Sequence, residues 1–338
     1  MAIVADVPTD LPEQMYAALI RECGPPEVIG YDTMPVPHPG PTDVLVRVEA
    51  VSVNHVDTFV RSGAYETKRP FPFVVNRDLV GTVAACGAGV AGFAVGDRVW
   101  CNSLGHAGRQ GAAAQYAVVP SDRLYPVPEQ ADSVTTVAVA HPAATAYLAL
   151  HTHGRLQPGE TVLIAGAAGH VGRAALALAR DARIIATASA ADLETCRQLG
   201  ADVALDYRDP DLATRLHDAA PDGVDVHLDT SGHHDLDLAT GVLAPRGRIV
   251  LMAGLGARPE LPVGALYTRD AQIAGFAIST ATTVELAAAA ARINQLVADG
   301  SLTPRAVEHL PLSAAAQAHR RLETGAARGV RLILHPPA

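Results

Sequence analysis

The residues best placed to do chemistry form a short run, Gly166-Ala167-Ala168-Gly169-His170-Val171-Gly172, directly after the apolar stretch Thr161 to Ala165. A strand that feeds such a loop into a helix presents unpaired N–H groups to an anion, and glycine lets the backbone close on a pyrophosphate. Gly169 suits that close approach, and Gly172 suits packing of the helix on the strand. Ala167, Ala168, His170 and Val171 fill the other positions, with Ala167 standing where the usual first glycine falls. The His170 imidazole either contacts the ligand or faces solvent. The context predicts a dinucleotide site, with a ligand-free Gly/Ala turn as the plainer alternative.

The second strand decides which dinucleotide fits. An acid about 20 residues beyond the glycines would hold ribose hydroxyls and repel a 2′-phosphate. Here the strand ends Thr187-Ala188-Ser189 with no acid at its tip, although Asp192 lies nearby. The expectation is NADP(H), with Ser189 and Tyr207 close to the extra phosphate. Arg208 either joins them or pairs with Asp206 or Asp209.

These groups need elements to hold them. Thr161 to Ala165 reads as a strand buried on both faces. A helix over 171–180, a strand over 182–188, a helix ending at Leu199-Gly200 and short strands near 203, 225 and 248 follow. That alternation predicts an α/β, doubly wound parallel sheet. Upstream, Asp43 to Val53 alternates as a half-buried strand, and Val80 to Cys86, Arg98 to Cys101 and Gln115 to Val119 are separated by glycine-rich turns. A mainly β domain is expected there. Downstream, an Ala-rich helix over 283–299 stops at Gly300, and Arg331 to Leu334 predicts a strand returning to the first domain.

At 338 residues two domains are expected. The net charge of −9, with no clustered run among 26 basic residues, argues against a nucleic-acid surface. No stretch reaches the ~18 uninterrupted apolar residues of a membrane span, so no membrane partner is expected. Met1 to Gln14 holds no Lys or Arg, unlike the start of a secretion signal, and reads as an extension. Cys23, Cys86, Cys101 and Cys196 are isolated, as free thiols of a cytoplasmic protein would be.

The sequence resembles the medium-chain dehydrogenase/reductase superfamily, in its zinc-independent quinone oxidoreductase, zeta-crystallin-like branch. The likeness runs from Met15 to Pro336 and is carried by Val53-Asn54-His55-Val56-Asp57-Thr58-Phe59-Val60-Arg61-Ser62-Gly63-Ala64-Tyr65, by Ala167 to Gly172, and by Leu199-Gly200-Ala201-Asp202 with Asp206-Tyr207-Arg208. The resemblance implies a Rossmann domain over 140–280 and a GroES-like catalytic domain from 15–139 and 281–338, after an extension over 1–14. It implies that Thr145 holds the nicotinamide amide and that Thr230, Met252, Ala253, Gly254 and Phe276 line the cofactor. It places Arg331 near the cofactor phosphates.

Zinc-bearing relatives carry a Cys where this chain has Asn54, and a Gly-His-Glu where it has Asn76-Arg77-Asp78. His141 falls at another ligand position, but His141 and Asp78 alone fall short of the three protein ligands of a catalytic zinc. No metal is expected, and His141 is placed at the substrate pocket. Without a Lewis acid, an acceptor must delocalise the incoming charge itself, as a quinone or enone does. Asn54 is the candidate orienting amide near the nicotinamide ribose, with capping of the following helix as its alternative role. Tyr65 is the candidate proton donor, with a pocket wall as its alternative, and Phe59 makes the pocket more apolar. Asp57 and Asp78 read as structural.

The expected activity is zinc-independent, NADPH-dependent reduction of a quinone or α,β-unsaturated carbonyl. The alternatives are an alcohol dehydrogenase or ketone reductase of the same superfamily, and a nucleotide-binding protein without turnover. An exposed strand edge at Gln272 to Phe276 suggests pairing between copies, hence a homodimer, as the resemblance also implies.

Overall fold

The structure is a computed structural model in which residues 11–337 are described. The chain divides into two compact units, one running up to His141 and resuming at Leu286, the other spanning Pro142–Glu285. The sequence reading placed these joins at 139/140 and 280/281, just ahead of the observed ones. Most of the expected extension, residues 1–10, lies outside the described residues.

The first unit opens with β1 (Gln14–Ile20), β2 (Gly30–Pro35), β3 (Asp43–Ser52), helix α1 (His55–Ser62), β4 (Phe73–Val74), β5 (Asp78–Cys86), β6 (Arg98–Cys101), β7 (Tyr116–Pro120) and β8 (Tyr125–Pro126). The strands alternate buried and exposed positions as a one-faced core requires, most plainly in β3, where Arg47 and Glu49 point out between Val46, Val48 and Ala50. Helix α2 (Ser133–Tyr147) continues as a π-helical turn over Leu148–His153, and the join between units falls inside it, at Pro142. By length and composition Ser133–His153 could cross a bilayer, yet most of it is buried, as in a core helix.

The second unit follows as β9 (Thr161–Ala165), α3 (His170–Leu178), β10 (Arg183–Ala188), α4 (Leu193–Gln198), β11 (Val203–Asp206), α5 (Leu212–Ala219), β12 (Val224–Asp229), α6 (Leu236–Gly241), β13 (Leu243–Leu251), α7 (Val263–Tyr267) and β14 (Gln272–Gly275). Its six strands are all parallel, in the order β11-β10-β9-β12-β13-β14. Counted along the chain this is 3-2-1-4-5-6, the doubly wound dinucleotide-binding order, with its switch point between β9 and β12. Val162, Leu163 and Ile164 of β9 are fully buried, which explains the unbroken apolar run in the sequence.

Helix α8 (Thr283–Ala298) leads back to the first unit, which ends in β15 (Val307–Pro311), α9 (Ala315–Glu323) and β16 (Arg331–His335). The predicted return strand, β16, pairs antiparallel with β3, so both ends of the chain build one seven-stranded sheet. All four cysteines are free. Burial pushes the Cys101 thiol up to about 11, so it stays protonated.

Candidate functional site

The phosphate loop is built by backbone geometry. Gly166 leaves β9 with φ +77°, and its N–H and that of Ala167 both donate to the Thr187 carbonyl on β10. Gly169 is the N-cap of α3 and has no side chain to satisfy the N–H groups of His170, Val171 and Gly172 in the first turn. A Cβ on Gly172 would lie 2.4 Å from the Gly166 carbonyl oxygen and 2.6 Å from the Ala167 Cα, so only glycine permits this packing. The loop fits a pyrophosphate: a helix N-terminus approached over backbone that carries no side chain at Gly169.

Thr230, just beyond β12, is pressed against this loop. Its hydroxyl donates to the Ala165 carbonyl at 2.7 Å, and a Cβ on Gly166 would come within 2.7 Å of that oxygen. Thr230 therefore shapes the crevice, with its hydroxyl hydrogen committed to the backbone. Beyond β13, Ala253 and Gly254 adopt φ +66° and +65°, so the chain turns sharply after Met252. The Phe276 ring stacks on His153 at 4.6 Å, and Thr145 lies on α2 in the same unit.

At the far end of the crevice the Ser189 hydroxyl donates to Asp192 at 2.8 Å. An acid thus stands beside the tip of β10 after all. Tyr207 is held next to that tip by its N–H bond to the Ala188 carbonyl, and its ring is half exposed. Arg208 pairs with neither Asp206 nor Asp209 through its side chain. Its guanidinium lies over the Tyr207 ring, 4.7 Å from the centroid, a cation–π pair facing solvent.

The first unit holds a buried polar network. Asn54 precedes α1, and its backbone N–H donates to the Asp57 carboxylate at 2.8 Å. Its side-chain Nδ2 donates to Asp78 at 2.8 Å, and its Oδ1 accepts from the Arg331 guanidinium at 2.8 Å. Asp78 also accepts from the Ser52 hydroxyl at 2.8 Å, and its other oxygen lies 3.5 Å from Nδ1 of His141. Asn76 donates to Asp57 and receives His319 at its carbonyl oxygen. Burial pushes the Asp57 carboxyl up to about 6, opposed by the nearby Arg77 charge. Burial also lowers Arg331, while Asp78 and Asp57 favour its charge.

Asn54 and Arg331 are thus brought together across the whole chain. The amide nitrogen also donates to the Ser52 hydroxyl at 3.4 Å, so both Nδ2 hydrogens have acceptors, while Oδ1, with two lone pairs, bonds Arg331. Phe59 and Tyr65 are joined to each other, the Tyr65 N–H donating to the Phe59 carbonyl, and Tyr65 packs on the core of the β unit. Asp78 and Ser52 are site residues the sequence reading missed, since Asp78 read as structural. Its acid two residues after an unusual Asn76 was the available signal.

A zinc ion does not fit these side chains. Of the ligand types near Asn54, Asp78 already serves Ser52 and Asn54, with His141 beside it, and Asp57 is taken up by the Asn54 N–H, Asn76 and Arg77. No group of three His, Cys, Asp or Glu residues able to hold a metal occurs among the described residues. A catalytic zinc needs three protein ligands.

Comparison with known proteins agrees with this division. The sequence profile of the alcohol dehydrogenase GroES-like domain matches residues 40–129, and that of the zinc-binding dehydrogenases matches 171–294. The quinone oxidoreductase of Mus musculus is 30% identical, covering 95% of this chain and 97% of its own. Among solved structures, a mycobacterial quinone oxidoreductase is 30% identical with TM-score 0.82, and a mycobacterial protein complexed with NADPH is 30% identical with TM-score 0.80, each over 95% of this chain and all of that one. An NAD-dependent alcohol dehydrogenase is 32% identical with TM-score 0.84, over 95% of this chain and 99% of its own. With both domains matched and a near full-length relative at that identity, the chain belongs to the medium-chain dehydrogenase/reductase superfamily of nicotinamide-dependent oxidoreductases, in its quinone oxidoreductase branch.

Proposed function

We propose that this protein is an NADPH-dependent reductase of quinones or α,β-unsaturated carbonyls that works without zinc. The observation that carries the reading is the network at Asn54: where a metal would polarise a carbonyl, the chain places an amide fixed between Asp78 and Arg331. Without a Lewis acid, the acceptor must spread the incoming charge over its own π-system. The quinone oxidoreductase relatives support the same substrate class.

A bound nicotinamide supplies the hydride. The residues of this chain hold the reactants and handle the proton. Asn54, held rigid by Arg331, Asp78 and Ser52, offers the second lone pair of its Oδ1 to a ribose hydroxyl and so orients the nicotinamide beside the substrate. Tyr65 donates a proton to the substrate, Phe59 forms an apolar wall, and His141 lines the pocket beside Asp78. In the cofactor site Thr145 holds the nicotinamide amide, residues Ala167 to Val171 hold the pyrophosphate, and Thr230, Met252 to Gly254 and Phe276 line the crevice.

For the adenosine end, the Tyr207–Arg208 pair beside Ser189 favours a 2′-phosphate. Asp192, bonded to Ser189, favours NAD(H) as the second reading. Two copies pair through β14, whose outer edge is open and continuous with the exposed Val263 and Tyr267 of α7. A reducing cytoplasm suits the four free thiols.

A panel of quinones, enones and simple ketones, followed by loss of reduced-nicotinamide absorbance, tests the reading. Quinones or enones should be reduced with NADPH and ketones should not. Absence of NADPH oxidation with every acceptor overturns the enzyme assignment. Equal or faster turnover with NADH overturns the cofactor preference.

A further inference from the structure

We infer that His234, oriented by Asp229, is a cofactor-contacting residue that grips the nicotinamide half of the dinucleotide. The inference rests on the dinucleotide reading of the crevice. Asp229 is the last residue of β12, 3% exposed, and its carboxylate is fully employed. One oxygen accepts the N–H and hydroxyl of Ser231, at 2.8 and 2.7 Å, and the other lies 2.9 Å from Nδ1 of His234. A carboxylate can only accept, so Nδ1 carries the hydrogen shared with Asp229, and Nε2 is left as the second polar atom of the ring.

Nε2 makes no hydrogen bond within the described residues. It faces Gly254, where an added Cβ would lie 3.1 Å from it and 2.8 Å from the Gly232 carbonyl oxygen. Both glycines have positive φ, +75° at Gly232 and +65° at Gly254, and Ala253 between β13 and Gly254 shares that conformation at +66°. A non-glycine residue held there carries strain, which the surrounding turn must fix in place. The loops after β12 and β13 are thus stripped of side-chain bulk where the histidine presents its free nitrogen.

The position in the sheet names the ligand half. In a doubly wound sheet the dinucleotide lies across the carboxyl ends of the strands, one mononucleotide on each side of the switch point, with the pyrophosphate at the first helix. That helix is α3, after β9, and the adenosine end is marked by Ser189 and Tyr207 at β10 and β11. The ends of β12 and β13, with His234, fall on the other side. The group there that suits an imidazole nitrogen is a hydroxyl, which both donates and accepts, such as the ribose next to the nicotinamide carries.

A structural histidine serving only Asp229 would leave binding untouched, so binding rather than turnover separates the two roles. Isothermal titration calorimetry with NADPH and with 2′,5′-ADP, which lacks the nicotinamide half, reads the difference. His234→Leu should weaken NADPH about five- to tenfold, the loss of one hydrogen bond, and leave 2′,5′-ADP unchanged. His234→Gln, whose amide reaches the same place, should recover most of the affinity. Unchanged NADPH affinity in His234→Leu, or equal weakening of both ligands, overturns the inference while the cofactor reading stands. If the wild type prefers NADH, the NADP preference fails and the same split is read with NADH and AMP. If neither dinucleotide binds, both readings fall.

Discussion

The two units solve the problem of positioning groups in opposite ways. In the β unit, charged and amide side chains are taken inside and paired with one another: Asn54, Asp57, Arg77, Asp78 and Arg331 are each 5% exposed or less. In the Rossmann unit the sheet interior is apolar, and recognition falls to backbone N–H groups, glycines and the residues at strand ends. A buried polar network is rigid only while every member is present, whereas a backbone cradle is rigid only while no side chain intrudes. The first should therefore break by deletion and the second by addition.

The largest expected effect is an addition. Gly172→Val places a branched side chain where even a Cβ meets the Gly166 carbonyl oxygen at 2.4 Å, so α3 must move off the end of β9. Overpacking of this kind costs about 1–3 kcal/mol. Because it displaces the N–H donors themselves, NADPH affinity should fall about a hundredfold by calorimetry, ~2.7 kcal/mol. Gly241, with nothing within 4 Å of an added Cβ, is the control, and Gly241→Ala should leave affinity unchanged. Wild-type affinity in Gly172→Val would mean that the loop does not hold the cofactor.

Next is a deletion. Arg331→Met leaves the Asn54 carbonyl oxygen and the buried Asp78 without their cation, and breaking such a buried ionic set costs about 3–5 kcal/mol. Urea unfolding should show that loss. In the same assay Tyr207→Ala, at a half-exposed ring on the Rossmann surface, should shift stability by less than about 0.5 kcal/mol. Similar small losses in both variants would remove the distinction between the units.

The same contrast explains what could be read from the sequence. The phosphate loop is legible because strand, glycines and helix are contiguous, so seven residues carry both the element and its chemistry. The strand order follows from the same local alternation. The polar network is not legible, because its central bond joins Asn54 to Arg331 across 277 positions, and neither residue type announces the other. Resemblance put Asn54 and Arg331 at the site, but their direct bond emerges only once β16 has paired with β3. The Ser189 bond is hidden for a different reason: Asp192 is only three residues away, but which group its carboxylate takes is a rotamer choice that spacing leaves open. His234 was invisible for both reasons, since its role depends on Asp229 before it and Gly254 after it.

The smallest effect is in pH dependence, and it distinguishes the units by whether an acid slope remains. Each unit contains a histidine that burial keeps neutral: His227 in β12, pulled down to about 4, and His319 in α9, pulled down to about 3. Below the ordinary histidine value the unfolded chain binds a proton that the folded chain refuses. Each histidine therefore removes stability as pH falls, by about 1.4 kcal/mol per pH unit. Asp57 opposes this in the β unit. Its pKa is raised to about 6, so its contribution is fully present below the unfolded carboxylate value and is lost as pH rises through 6. Between pH 6 and 4.5 the folded β unit gains a proton at Asp57 relative to the unfolded chain and refuses one at His319, and the two slopes cancel. His227 has no such counterweight. Urea unfolding at pH 6 and 5 should then show that His227→Gln flattens the acid slope by about 1.4 kcal/mol per pH unit, while the Asp57→Asn, His319→Gln double variant leaves the slope unchanged. Equal flattening in both would show that Asp57 is ionised in the folded protein at pH 5, with the Arg77 charge outweighing its burial.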